Sequence, residues 1–109
     1  MYAVLDAASF EGRRKPVARA LGARAVKLNR FDSQPGQEGV AHDERQSGQE
    51  EIYIPISGAG SIRIGAETVP LLPGRFVLVT ADETRQVVAG DAGLSYIVVG
   101  AVAPTSAVV

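Results

Sequence analysis

The chain has no cysteine and no tryptophan, and it carries one methionine and one histidine. Without a thiol there is no disulfide, no thiolate metal ligand and no sulfur nucleophile. A single imidazole, His42, set in an acidic stretch, supports no Ser-His-Asp order. No run of about 18 apolar residues occurs, so no membrane-spanning helix is expected, and the start lacks the charged-then-apolar pattern of a signal peptide. A charge of one sign is not in excess either. The net charge of −1 provides no overall field to gather nucleic acid or an anionic membrane. The expectation is a cytoplasmic protein that engages neither. The glycine clusters Gly58-Ala59-Gly60 and Gly90 to Gly93 are not followed by a Lys-Ser/Thr pair or a helix start, which excludes a phosphate cradle.

What is present is a chain of 109 residues, 46% hydrophobic and 21% charged, enough for one domain with one core. It divides into an N-terminal arm over residues 1–24, a barrel over 25–101 and a tail over 102–109. Short Val- and Ile-rich segments alternate with turn residues, the pattern of an all-β sandwich or barrel. Strands are predicted over 25–31, 51–56, 61–64, 67–71, 76–79, 85–88 and 94–101. Turns are expected at Gln34-Pro35-Gly36, Ser57 to Gly60, Pro73-Gly74 and Ala89 to Gly93. One helical turn fits 17–21, stopped by Gly22, and the tail from Ala103 is expected to fray or dock on a neighbour.

Charge is unevenly spread. Residues 1–30 hold seven basic side chains against Asp6 and Glu11, whereas residues 31–51 hold six acids against Arg45. Arg13-Arg14-Lys15 reads either as a patch for an anionic partner or, the favoured reading, as a solvated loop.

In the segment 51–56 side chains alternate faces, so Glu51, Tyr53 and Pro55 share one and Ile52, Ile54 and Ile56 the other. With Glu51 pointing inward, three isoleucines point outward and need a cover. A second copy packed sheet against sheet, giving a homodimer, and the chain's own residues 1–21 are both candidates. Pro55 donates no N–H, which predicts an edge or an irregular point at that position.

Two further segments have a specific look. Gly36 precedes His42-Asp43-Glu44, and Glu51 is followed by six residues and Gly58; Pro73-Gly74 leads through the apolar run Phe76-Val77-Leu78-Val79 to Arg85. Together they resemble the two motifs of the cupin superfamily, over residues 31–99. The resemblance implies a double-stranded β-helix, or jelly-roll barrel, whose metal is usually held by three imidazoles and one carboxylate. Here His42 matches the first histidine and Glu51 the glutamate. Glu44 stands in place of the second histidine, after which the chain to Glu51 is longer than usual. Arg85 stands where the second motif has its histidine.

The resemblance thus implies a degenerate metal site. His42, Glu44 and Glu51 are the candidate ligands for Mn, Fe, Ni or Zn. Against them stands Arg85, whose permanent charge repels a divalent ion and competes for the carboxylates. Pairing of Arg85 with Glu44 and Glu51 in place of a metal is the preferred expectation. His42, Glu44, Glu51, Tyr53 and Arg85 are expected to line a pocket above Val77, Val79, Val87 and Ile97, suited to a small polar or anionic metabolite. The leading expectation is a non-catalytic small-molecule binding or regulatory module. The alternative is a metal-dependent cupin enzyme of isomerase, epimerase or dioxygenase type.

Overall fold

A computed structural model describes residues 1–104. The expectation for the tail lies outside them from residue 105 onward. After a single 3-10 turn at Ala7–Ser9 come β1 (Arg14–Lys15), α1 (Val17–Leu21), β2 (Lys27–Ser33), β3 (Gln49–Ile64), β4 (Glu67–Leu71), β5 (Val77–Val79) and β6 (Arg85–Val102). All strand pairings are antiparallel, in the order β1-β2-β6-β3-β4, with β5 beside β3. The protein is an all-β jelly-roll barrel with one short helix, which ends as expected on Gly22 in the left-handed conformation.

Two expected turns are not turns. Residues 51–56 and 61–64 belong to one strand, β3, and residues 85–88 and 94–101 to another, β6. The glycines bend these strands instead of ending them. The β3–β6 register shifts between Pro55 and Ser57 and again between Gly58 and Gly60. A Cβ on Gly58 would overlap the carbonyl of Gly93, and one on Gly60 the carbonyl of Val88. Close backbone approach at a bulge, which only glycine allows, is what the turn-like composition encodes.

The bend folds the long β3–β6 ribbon into two layers. In one layer the first half of β3 lies between β5 and the second half of β6, which also pairs with β2. In the other layer the second half of β3 pairs with β4 and the first half of β6. The segment Glu38 to His42 closes this layer by bridging Val88 and Arg85. Tyr53, Val79, Tyr96 and Val98 from the first layer meet Ile62, Leu71 and Val87 from the second in one buried core. Pro55 pairs only with Tyr96, in the gap between the β5 and β4 pairings, so its missing N–H falls at an irregular point.

The face alternation of β3 is as read from sequence: Tyr53 and Pro55 are buried, while Ile52 and Ile56 are each 40% exposed. Ile52 and Ile56 therefore remain open to solvent in the single chain. Cross-strand pairs extend the stripe into Leu78, Ile97 and Val99. Ile97 was expected under the pocket, but the Tyr53–Val98 pairing puts it on the outer face opposite Ile54. In a run as apolar as Tyr96-Ile97-Val98-Val99, hydrophobicity alone leaves the face parity undetermined.

Candidate functional site

A cavity of about 290 Å³ opens between the layers. All five expected lining residues, His42, Glu44, Glu51, Tyr53 and Arg85, are on its wall. Glu51 and Tyr53 arrive on the inward parity of β3. His42 and Arg85 face each other through a pair of backbone hydrogen bonds, His42 N to Arg85 O at 3.0 Å and Arg85 N to His42 O at 2.8 Å. Directly opposed residues of an antiparallel pair project to the same side, which brings both side chains to the cavity.

Arg85 is the largest fully buried side chain of the protein, 1% exposed. Its Nη1 donates to the carbonyls of Glu83 and Thr80, and its Nε donates to the Tyr53 hydroxyl at 3.3 Å. Nη2 stands 3.1 Å from Glu51 Oε1, an ion-pair distance, but its angle is not that of a hydrogen bond. Tyr53 donates to the same Oε1 at 2.9 Å, and His42 Nε2 lies 3.6 Å from it. His42 Nδ1 is 3.0 Å from the Val40 carbonyl, which can only accept, so this contact places a proton on Nδ1. Burial, followed by the neighbouring Glu51 carboxylate, pushes the Tyr53 phenol well above its ordinary value, so it remains a donor. Three groups thus converge on Oε1, and Oε2 has no hydrogen-bond partner among the described residues.

Glu44 also lines the cavity, but its carboxylate makes no ion pair with Arg85; among the described residues its only side-chain hydrogen bond is a long one accepted from Ser47 Oγ, at 3.5 Å. The expected neutralisation of both carboxylates by Arg85 therefore holds for Glu51 alone. The loop from His42 to Glu51 swings Glu44 to the Ala81 backbone, away from the guanidinium. Among the described residues no group of three or more His, Asp or Glu side chains is arranged to hold a metal ion. The donor set does not fit one: Oε1 of Glu51 is already engaged and a buried, permanent cation adjoins it.

The sequence reading missed more than half of the wall. Arg13, Arg14, Lys27, Asn29, Phe31 and Tyr96 all line the cavity. The solvated-loop reading of Arg13-Arg14-Lys15 holds only in part: Arg14–Lys15 is the strand β1, with Arg14 exposed, and Arg13 lies just before it, half-buried. Lys15 is buried and donates to Asp32 at 2.6 Å, where Arg30 and Ser95 also donate. Asp32 is partly buried, which alone would raise its pKa; the donors Lys15, Ser95 and Arg30 win and hold it well below the carboxylate range. This polar knot fastens the arm to β2 and delivers Arg13 and Arg14 to the cavity. The Arg13 guanidinium lies 5.6 Å from the Phe31 ring centre, and Phe31 stacks on Tyr96 at 5.0 Å. Period-two alternation through Lys27, Asn29 and Phe31 was the available signal.

No known family profile and no curated protein matches the chain in sequence. Solved structures do match. A cupin protein from Bacteroides fragilis aligns over 99% of this chain and 90% of its own, with TM-score 0.83 and 20% identity. KdgF from Halomonas sp. aligns over 95% and 96%, with TM-score 0.73 and 17% identity. A sugar phosphate isomerase of the cupin superfamily from Silicibacter pomeroyi aligns over 93% and 76%, with TM-score 0.73 and 21% identity. At such identities the likeness is one of fold.

Proposed function

The chain has the cupin fold, and on that scaffold we propose that it is a non-catalytic binding module for a small polar or anionic metabolite. One observation carries this reading: a fully buried guanidinium, that of Arg85, stands beside Glu51 in the cavity, at the position where the motif resemblance implies a metal-binding histidine. Its charge takes over the electrostatic role of the metal, and a cavity still remains above it. One scaffold hosts many activities, so the isomerase among its structural relatives does not make this chain one.

The test is elemental mass spectrometry on protein prepared without a His-tag, before and after incubation with Mn, Fe, Ni and Zn. Metal at background level, together with a rise in Tm on adding a ligand, is expected. About one metal per chain, lost in His42→Ala and Glu51→Ala, overturns the reading in favour of a metal-dependent enzyme.

The exposed stripe of Ile52, Ile56 and Leu78 extends this proposal to a homodimer. A two-fold axis through the stripe would set each apolar row against its own copy, burying it without any other partner.

A further inference from the structure

The two ends of the cavity call for different ligand groups. Lining cations outnumber carboxylates, with Arg13, Arg14, Lys27 and Arg85 against Glu44 and Glu51. Arg85 has Glu51; the side chains of Arg13, Arg14 and Lys27 form no ion pair among the described residues. Arg13 is half-buried and its guanidinium is held over the Phe31 ring, so it is positioned before any ligand arrives.

Beside Arg13 is a second unsatisfied donor. Tyr96 is 3% exposed, yet its hydroxyl makes no hydrogen bond among the described residues. Burial pushes its pKa up to about 12, so it keeps its proton at neutral pH. Arg13 Nη1 and the Tyr96 hydroxyl come within 3.5 Å and 3.9 Å of the point where a Gly39 side chain would begin; the Val87 carbonyl, at 3.3 Å, already accepts from Gly39 N. The absence of a side chain at Gly39 leaves both donors open to the same space. Toward the Arg85 end Glu51 Oε2 is a free acceptor, with Lys27 in the same row across Gly100.

We propose that the cavity binds a small hydroxylated carboxylic acid, its carboxylate held by Arg13 and Tyr96 over Gly39 and a hydroxyl donating to Glu51 Oε2. The inference rests on the ligand-binding reading above and gives it a ligand class. A planar guanidinium fork with a phenolic donor matches the two oxygens of a carboxylate. The Glu51 carboxylate accepts from a hydroxyl but repels a second acid. The cavity volume, about 290 Å³, is at the lower end for ligand pockets, which limits the ligand to about six carbons.

Isothermal titration of metal-free protein with three open-chain six-carbon probes tests this. Gluconate has both features, sorbitol lacks the acid and hexanoate lacks the hydroxyls. Gluconate is expected to bind at least about tenfold tighter than either. Tyr96→Phe keeps the stacked ring and Arg13→Gln changes a peripheral side chain. Each should weaken gluconate about tenfold and leave sorbitol unchanged. Should Tyr96→Phe fail to fold, Arg13→Gln alone decides. Sorbitol binding as tightly as gluconate, or gluconate binding indifferent to Arg13→Gln, overturns the carboxylate subsite and leaves the binding module standing. Inorganic phosphate displacing gluconate at equal concentration overturns the carboxylate class. No binding by any probe overturns both.

Discussion

Arg85 Nη2 lies 3.1 Å from Glu51 Oε1, and the Tyr53 hydroxyl joins the two, accepting from Arg85 Nε at 3.3 Å and donating to that same Oε1 at 2.9 Å. A charge pair, a phenol and two loop carbonyls are locked together at one point of the barrel. The first prediction concerns its removal. Arg85→Ala leaves a largely buried carboxylate without its cation and the Glu83 carbonyl without its donor, and should cost about 3–5 kcal/mol in urea unfolding. Arg85→Lys should recover little, since an ammonium cannot reach Tyr53, Thr80 and Glu83 together. A fully tolerated Arg85→Ala would show that the pair is not structural.

Tyr53→Phe removes only the bridging hydroxyl. The ring still packs in the core, so the expected loss is about 1–2 kcal/mol, clearly smaller than that of Arg85→Ala. Equal losses would mean that the phenol, not the ion pair, organises the site.

Gly58→Ala and Gly60→Ala should be among the most damaging single changes in the chain. Each new methyl meets backbone across the bend, at Gly93 and Val88, where no side chain can swing aside. Gly58 also has φ +75°, which strains any residue bearing a Cβ. A loss of about 2 kcal/mol or more is expected by thermal unfolding. Gly36, which also has positive φ, has nothing within 4 Å of its would-be Cβ; Gly36→Ala should therefore cost less.

Acid should loosen the arm. The folded pKa of Asp32 lies below its ordinary value of 3.8, so its ionised form stabilises the fold. That contribution is complete above the unfolded value, and it is lost as pH falls through it toward the folded one. Compared with wild type, Asp32→Asn should be less stable at pH near 7, and the difference should shrink as pH drops below about 4. Urea midpoints of both proteins across this range give the answer. A pH-independent difference would remove Asp32 ionisation from the account.

Sedimentation equilibrium should show a dimer for the wild type and a monomer for Ile52→Glu or Leu78→Glu. Charge on a row that is already exposed costs the single chain little, but it opposes burial against a second copy. A monomeric wild type at high micromolar concentration would end the homodimer proposal.

Much was legible in the sequence itself. Strand content follows from Val and Ile runs, and Glu51 and Tyr53 from the two-residue period, because both are local properties of a pleated backbone. The resemblance of the two motifs to those of cupins implied the barrel and put His42, Glu51 and Arg85 near one another. Tertiary structure decided the rest. Whether Gly58 and Gly60 end a strand or bend one depends on the backbone that passes them. The inward turn of Val98 rather than Ile97 depends on register with Tyr53. Arg13, charged and local to a polar run, looks solvated until Lys15 finds Asp32, seventeen residues on. Hydrophobic period and turn chemistry are written residue by residue, whereas charge pairing and close approach are settled only when distant segments meet.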